Sequence, residues 1–403
     1  MRKISTKFNI VAVVMIFAVI FINTGCTKRI RYPLPEEYAD SANPVGIEQV
    51  RDWGDTYSEY FQNDFIESAK QGRKNYPEIY QGPNPTVDIL AISGGGAYGA
   101  WGIGLLKGWS DSGNMHIFGL VTGISTGALI APFAFLGGEY LDVIANFYTN
   151  ITDRDIFIKK PLSSIIGSDS VATSLPLQRL IEENIDQEFL QKVAEEHKKG
   201  RRLLIGTTNL DAKRLVIWNM GHIAEIGDAK ALELFQKVIL ASASVPVALN
   251  PIYISVEADG KVYDEMHVDG GATVQVFFYG SILDIESAIE TLGIEDKPKI
   301  RLFIIRNAIF KPDYEPVRPR LSSIAASSLS NLIRNEGIGD LYRIYTISQR
   351  DGFEFNLASL PADYEYEKDV AFDPNEMKLL FNLGYEAAIN GYPWEKYPPL
   401  YDK

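Results

Sequence analysis

A single cysteine, Cys26, stands in a chain of 403 residues, so no disulfide can form within it. Histidine is almost as scarce, with His116, His197, His222 and His267 making up the whole supply. There is no H-E-x-x-H pair and no Cys/His spacing of a zinc site, and the sequence predicts neither a metal centre nor a cofactor. Positive charge is short as well. Against 39 Lys and Arg stand 52 Asp and Glu, for a formal net charge of −13. Nucleic-acid binding needs clustered cations to displace counterions, so an acidic chain without a basic stripe excludes that class.

Apolar runs long enough to span a bilayer are also missing. The longest, Ile10 to Ile22, has 13 residues where about 20 are needed. Preceded by Arg2, Lys3 and Lys7, it suits the apolar region of an export signal. The run leads into "NTGC", with Cys26 after the small residues Thr24 and Gly25. This resembles a bacterial lipoprotein signal, which implies cleavage before Cys26 and its lipidation as the new N-terminus. Asn23 departs from the aliphatic residue usual at that place. An ordinary secretory signal and an uncleaved anchor are the alternatives, and all three put the protein outside the cytoplasm. The expectation is an exported protein held by a lipid anchor, at the outer membrane or facing the periplasm. Losing residues 1–25 removes three basic residues and no acidic one. The acyl chain would then have to supply the membrane affinity, helped locally by Lys28, Arg29 and Arg31.

What is present is ordinary globular composition, 46% hydrophobic and 23% charged, with length for a large core. Residues 1–25 form the signal and 26–85 a tether with a partly helical segment, most periodic at "VRDWGDTYSEYFQNDFIESAK". From 86 to 310 strand and helix signals alternate. They run "TVDILAIS", a helix over 97–109, "HIFGLVTGIS", a helix over 126–136, then two more helices through "LQRLIEENI" and "QEFLQKVAEEHKKG". "RRLLIGTTNL" and "RLVIWNM" follow as strands, then a helix ending before Pro246, then strands at "KVYDEMHVDGG" and "KIRLFIIRNA". Such alternation predicts βαβ units and a mostly parallel sheet in an α/β fold. Residues 311–403 read as a mostly helical extension.

Two motifs carry chemistry. "SGGGAYG" places three glycines, Gly94, Gly95 and Gly96, between an apolar strand and a helix, where backbone N–H groups gather to hold negative charge. Gly94, Gly96 and Gly99 also satisfy G-x-G-x-x-G, but the following strand ends in Gly-Ile-Ser rather than the acid a dinucleotide site requires. That strand runs into "GISTG", Gly123 to Gly127, the G-x-S-x-G pattern of a nucleophile elbow centred on Ser125. A serine cap on a tightly packed helix is the plainer reading of the same residues.

Serine needs a base. His197 on the polar face of an amphipathic helix and His116 at the start of a strand read as surface residues, and His222 sits in a turn. His267 shares a strand face with Asp269, yet two residues apart they are poorly placed for a linear Ser–His–Asp relay. Asp269, followed by Gly270 and Gly271, presents a carboxylate at the carboxyl end of a strand, where open α/β sheets bind ligands. An ordinary Asp-Gly turn is the alternative.

In this order "SGGGAYG", "GISTG", "ASASVPVALNP" (241–251) and "DGG" (269–271) resemble the patatin-like phospholipases, over about residues 86–310. The resemblance implies a three-layer α/β/α fold and a Ser–Asp dyad without histidine. Ser125 would be the nucleophile, Asp269 its base, and Gly94, Gly95 and Gly96 the oxyanion hole. It implies a lipid or phospholipid substrate; no protein partner is identifiable. Tyr98 stands where the family often has Lys or Arg, which weakens the expectation of a phosphate head group. The closing "FNLGYEAAINGYPW" is similar to the tail of bacterial lipoprotein members. An acyltransferase with the same dyad and a non-catalytic lipid-binding lipoprotein are the rival expectations.

Overall fold

The computed structural model describes residues 30–401, apart from residues 82–83, 166–167, 280–281, 295–296, 313, 315 and 367–369. Cys26 and the signal segment lie outside the described residues. Among the described residues there are twelve strands: β1 (Asn43–Pro44), β2 (Arg51–Trp53), β3 (Thr86–Ile92), β4 (Phe118–Gly123), β5 (Ile158–Lys159), β6 (Ala172–Thr173), β7 (Arg202–Asn209), β8 (Arg214–Asn219), β9 (Ile252–Ala258), β10 (Lys261–Asp269), β11 (Lys299–Arg306) and β12 (Glu354–Ser359). The main helices are α1 (Glu59–Asn75), α2 (Gly99–Asp111), α3 (Thr126–Leu136), α4 (Glu139–Asn150), α5 (Leu175–Asn184), α6 (Gln187–Lys198), α7 (Ala229–Ser242), α8 (Ile285–Leu292), α9 (Leu321–Asp351) and α10 (Pro374–Ile389).

β5 and β6 pair only with each other, and the other ten strands form one sheet. Its centre is a parallel run, β7-β4-β3-β11-β12. Antiparallel β10, β9 and β1 extend it beyond β7, which also pairs with β8. Alternation along β3 builds two cores. Leu90 and Ile92 face Trp101 of α2, Ala128 of α3 and Leu380 of α10. Ile89 and Ala91 face the other way, toward Phe61 of α1, Ile285 of α8 and Leu341 of α9. A parallel sheet must bury both faces, and these helices do so. The α/β/α layering expected from the sequence is therefore present.

α2 and α10 cross at backbone contact. A Cβ on Gly104 would lie 2.0 Å from the Phe381 carbonyl oxygen, and one on Gly384 2.1 Å from that of Trp101. The last long helix is thus wedged onto the helix that follows the glycine loop.

The segment around Trp53 is partly helical: Arg51–Trp53 pairs with β8, and the helix starts at Glu59, capped by Ser58. The tail carries two long helices, and β12 between them joins the main sheet beside β11. One reading needs correction: His197 is not a surface residue. The helix Met220–Ile226 lies over it, with Gly221 so close that a Cβ there would sit 2.2 Å from His197 Nδ1. His197 Nε2 reaches Glu225 at 3.2 Å.

Candidate active site

Ser125 lies at the junction of β4 and α3 with φ +57° and ψ −124°, a conformation that strains any L-residue with a side chain. The surroundings impose it. A Cβ on Gly123 would lie 2.4 Å from the Gly127 carbonyl oxygen, and one on Gly127 2.2 Å from that of Ile92. Only glycines fit on either side of the serine. The Ser125 N–H donates to Ser242 Oγ at 3.0 Å, and that hydroxyl donates to the Gly206 carbonyl at 2.7 Å. The end of α7 thus holds the elbow in place, a role for Ser242, which lies in the ASASVPVALNP block, that the sequence alone does not assign.

Asp269 ends β10, and Gly270–Ala272 turns sharply after it. The Gly271 N–H donates to Asp269 Oδ1 at 2.7 Å. The other oxygen, Oδ2, is buried without a hydrogen-bond partner. Burial pushes the carboxyl up to about 7, against the pull of the Ser125 hydroxyl and the Gly271 N–H toward the charged form. A carboxylate ionising near neutrality beside a strained serine matches what a general base needs.

The glycine loop faces the same place. A Cβ on Gly94 would lie 3.0 Å from Ser125 Cβ. The Gly96 carbonyl accepts a hydrogen bond from Thr126 Oγ1 at 3.0 Å, tying the loop to the first residue of α3. Gly95 presses on the chain after β11, so closely that a Cβ would meet the Asn307 carbonyl oxygen at 1.7 Å. Asn307 also clamps the loop by donating from its main-chain N–H to Ser93 Oγ at 2.9 Å and from Nδ2 to the Ser93 carbonyl at 3.0 Å.

One expectation is narrowed here. The Gly94 N–H already donates to the Gln275 carbonyl at 3.1 Å, so it is not free for a ligand. Among the described residues the N–H groups of Gly95 and Gly96 have no acceptor. Gln275 is itself well held: its N–H donates to Asp340 Oδ2 of α9 at 2.6 Å, and its Nε2 to the Gly271 carbonyl at 2.6 Å. It bridges the glycine loop and the Asp-Gly-Gly turn. Fully buried Arg306 adds a contact from Nη1 to the Gly94 carbonyl at 3.4 Å. Burial lowers its guanidinium to about 10 against the attraction of Asp340, and raises the Asp340 carboxyl to about 6.

The histidines lie elsewhere. His267 is fully buried, with Nδ1 at 2.9 Å from Thr207 Oγ1 and Nε2 at 3.1 Å from Glu265. Both ring nitrogens are occupied, leaving none for Ser125. His222 Nδ1 meets Tyr60 Oη at 2.8 Å, and His116 packs edge-on to Trp109. Tyr98 packs edge-on to Tyr366. Among the described residues no group of His, Cys, Asp or Glu is arranged to hold a metal ion.

Residues 90–278 match the model of the patatin-like phospholipase family, a span that contains the glycine loop, the elbow and the Asp-Gly-Gly turn. This part of the chain is a patatin-like phospholipase domain. Among solved structures the chain is similar to VipD from Legionella pneumophila, at 13% identity and TM-score 0.31 over 75% of this chain and 66% of that one. It is similar to the type III effector protein ExoU at 14% identity and TM-score 0.27, over 76% of this chain and 52% of that one. Human GIVD cytosolic phospholipase A2 matches at 10% identity and TM-score 0.29, over 76% of this chain and 52% of that one. The chain thus spans about half to two thirds of the length of these three proteins. Curated protein sequences return no match. The patatin-like span ends before β11 and β12, although both complete its sheet.

Proposed function

We propose that the protein is a serine acyl hydrolase of lipid esters that works through a Ser125–Asp269 dyad. The observation that carries this reading is the Asp269 carboxyl, fully buried, with one oxygen unpartnered and the Ser125 hydroxyl acting on it. Ionised Asp269 takes the proton from Ser125 Oγ as that oxygen bonds to the ester carbonyl carbon. The carbonyl oxygen becomes an oxyanion on the N–H groups of Gly95 and Gly96. Each such donor is worth about 2.7–4 kcal/mol in the barrier. Collapse of the intermediate breaks the ester C–O bond, and the leaving alcohol takes the proton from Asp269. A water molecule then gives a proton to Asp269, attacks the acyl-serine and releases the fatty acid, and Ser125 regains its proton.

We assign the acyl chain to an apolar depression between α3, α4, α5 and α7, lined by Leu129, Phe133, Ile144, Ile181 and Ile239 among others. Leu129 is one helical turn from Ser125, and Ile239 one turn from the Ser242 that holds it. This closeness along the chain supports the assignment. Asn184 is the one polar side chain of the lining. We place the enzyme at a membrane outside the cytoplasm, anchored through Cys26, on the strength of the signal sequence.

The test is labelling by a fluorophosphonate together with fatty-acid release from phospholipid and neutral ester vesicles. Wild type should label and release fatty acid, and Ser125→Ala should do neither. Equal labelling of Ser125→Ala would remove the nucleophile assignment. Adding an alcohol acceptor and analysing products separates hydrolysis from acyl transfer. A chain that binds vesicles but neither labels nor turns over would be a lipid-binding module instead.

A further inference from the structure

Helix α9 is 31 residues long, but only its second half packs into the fold. Leu341, Ile344, Tyr345 and Ser348 are buried there. In the first half Leu321 is 87% exposed, Ile324 51%, Leu329 46% and Leu332 67%. With Ala325 these residues recur at i, i+3, i+4, i+8 and i+11, the spacing of one helical face. Ser323, Ser327, Ser330 and Arg334 fall on the opposite arc. The helix interior of a soluble protein has no reason to place a ladder of aliphatic side chains in water. Something covers it.

Charge indicates what. From residue 316 to 335 the chain holds Arg318, Arg320 and Arg334 and no acidic residue, although the whole chain carries a net charge of −13. This local charge is opposite in sign to the net charge, and an anionic lipid surface meets arginines at both ends of the stripe. An aliphatic face flanked by cations is the signature of a helix lying in a lipid interface, about 5–10 Å deep. We propose that the first half of α9 docks in this way on an anionic lipid surface, with Leu321, Ile324, Leu329 and Leu332 in the acyl region and the three arginines at the head groups.

The same helix continues to the active site. Asp340, eight residues or about 12 Å beyond Leu332, accepts the Gln275 N–H, and Gln275 accepts the Gly94 N–H. A membrane-bound α9 would therefore hold the glycine loop close to the lipid. This goes beyond the hydrolase reading and does not depend on it.

The test uses the full chain in a Cys26→Ser background, with Ala325→Cys carrying an environment-sensitive fluorophore. The fluorophore reports its own position, so the N-terminal apolar run cannot imitate the result. On vesicles containing phosphatidylglycerol the emission should shift to the blue and be quenched by nitroxide-labelled lipid. Both effects should weaken on pure phosphatidylcholine, and on the anionic vesicles in about 1 M salt. A label at Ser327→Cys, on the opposite arc, should respond far less. The surface pair Leu321→Glu with Leu332→Glu should abolish the shift at residue 325. The proposal falls if the label at 325 stays in water while the chain co-sediments with anionic vesicles. It falls equally if the label is already shielded without lipid in a species that sediments as an oligomer.

Discussion

The main-chain N–H of Gly94 donates to the carbonyl of Gln275 at 3.1 Å, so in the proposed mechanism Gly95 and Gly96 are left to bind the oxyanion. These two respond differently to a methyl group. At Gly95 a Cβ overlaps the Asn307 carbonyl oxygen at 1.7 Å, so Gly95→Ala must displace the loop. We expect kcat to fall about 10²–10³-fold, the loss of a donor. At Gly96 no atom lies within 4 Å of the added Cβ, and φ is +57°. Gly96→Ala should then cost only about 1–2 kcal/mol of backbone strain and retain most activity. Steady-state kinetics with a thermal-shift control decides, and full activity in Gly95→Ala would refute the loop's role.

In the proposed mechanism Asp269 sets the pH dependence. Its carboxyl is pushed up to about 7 by burial and must be ionised to act as base, so kcat/KM should rise with pH and reach half its plateau near 7. Asp269→Asn should lose about 10²–10⁴-fold and flatten the profile. Stability moves in the opposite sense. Because the folded pKa lies above the unfolded value of 3.8, the stabilisation from the bound proton is complete below about 3.8 and is lost as pH rises through 7. At pH about 8 the ionised carboxyl opposes folding by on the order of 4 kcal/mol. Asp269→Asn should therefore melt higher than wild type at that pH, less the cost of burying the amide. Melting curves across the pH range read it directly.

Strain at the nucleophile gives a further expectation. Ser125→Gly removes the side chain that makes φ +57° costly and should stabilise the fold by about 1–3 kcal/mol while abolishing labelling and turnover. Ser125→Ala keeps the strain and should abolish activity with little gain in stability. Equal melting temperatures for the two variants would count against a strained elbow.

The groove beside α3 should select acyl length. Val143 lines it and is 40% exposed, so Val143→Trp fills the mouth without disturbing the core. The kcat/KM for long-chain esters should drop about tenfold or more, with butyrate esters unaffected. A uniform loss over all chain lengths would point to a different acyl site.

The glycine loop, the elbow and the Asp-Gly-Gly turn were legible because each is a local pattern with a local steric cause. Gly123 and Gly127 are demanded by carbonyl oxygens that a Cβ would strike, and that demand is written in the sequence. Ser242, Gln275, Asn307 and Asp340 were not legible. Each acts through long-range contacts, which a local spacing does not assign to a polar side chain. His197 was misread for a related reason. Its helix is amphipathic on its own, and only the helix 220–226, arriving from later in the chain, turns its outer face into an inner one. β12 escaped notice because a six-residue strand, one edge paired with β11 and lying between two helices, has too few residues for its alternation to stand out.

The backbone crossing of α2 and α10 has a consequence for how the molecule comes into being. Ser125 and Asp269 leave the ribosome long before residues 374–389, whose Gly384 seats against Trp101, and before β12 gives β11 its outer neighbour. A growing chain holds the nucleophile and its base without the wedge that fixes the helix behind the glycine loop. The packing that fixes α2 behind the glycine loop is therefore complete only once residues 374–389 have been made.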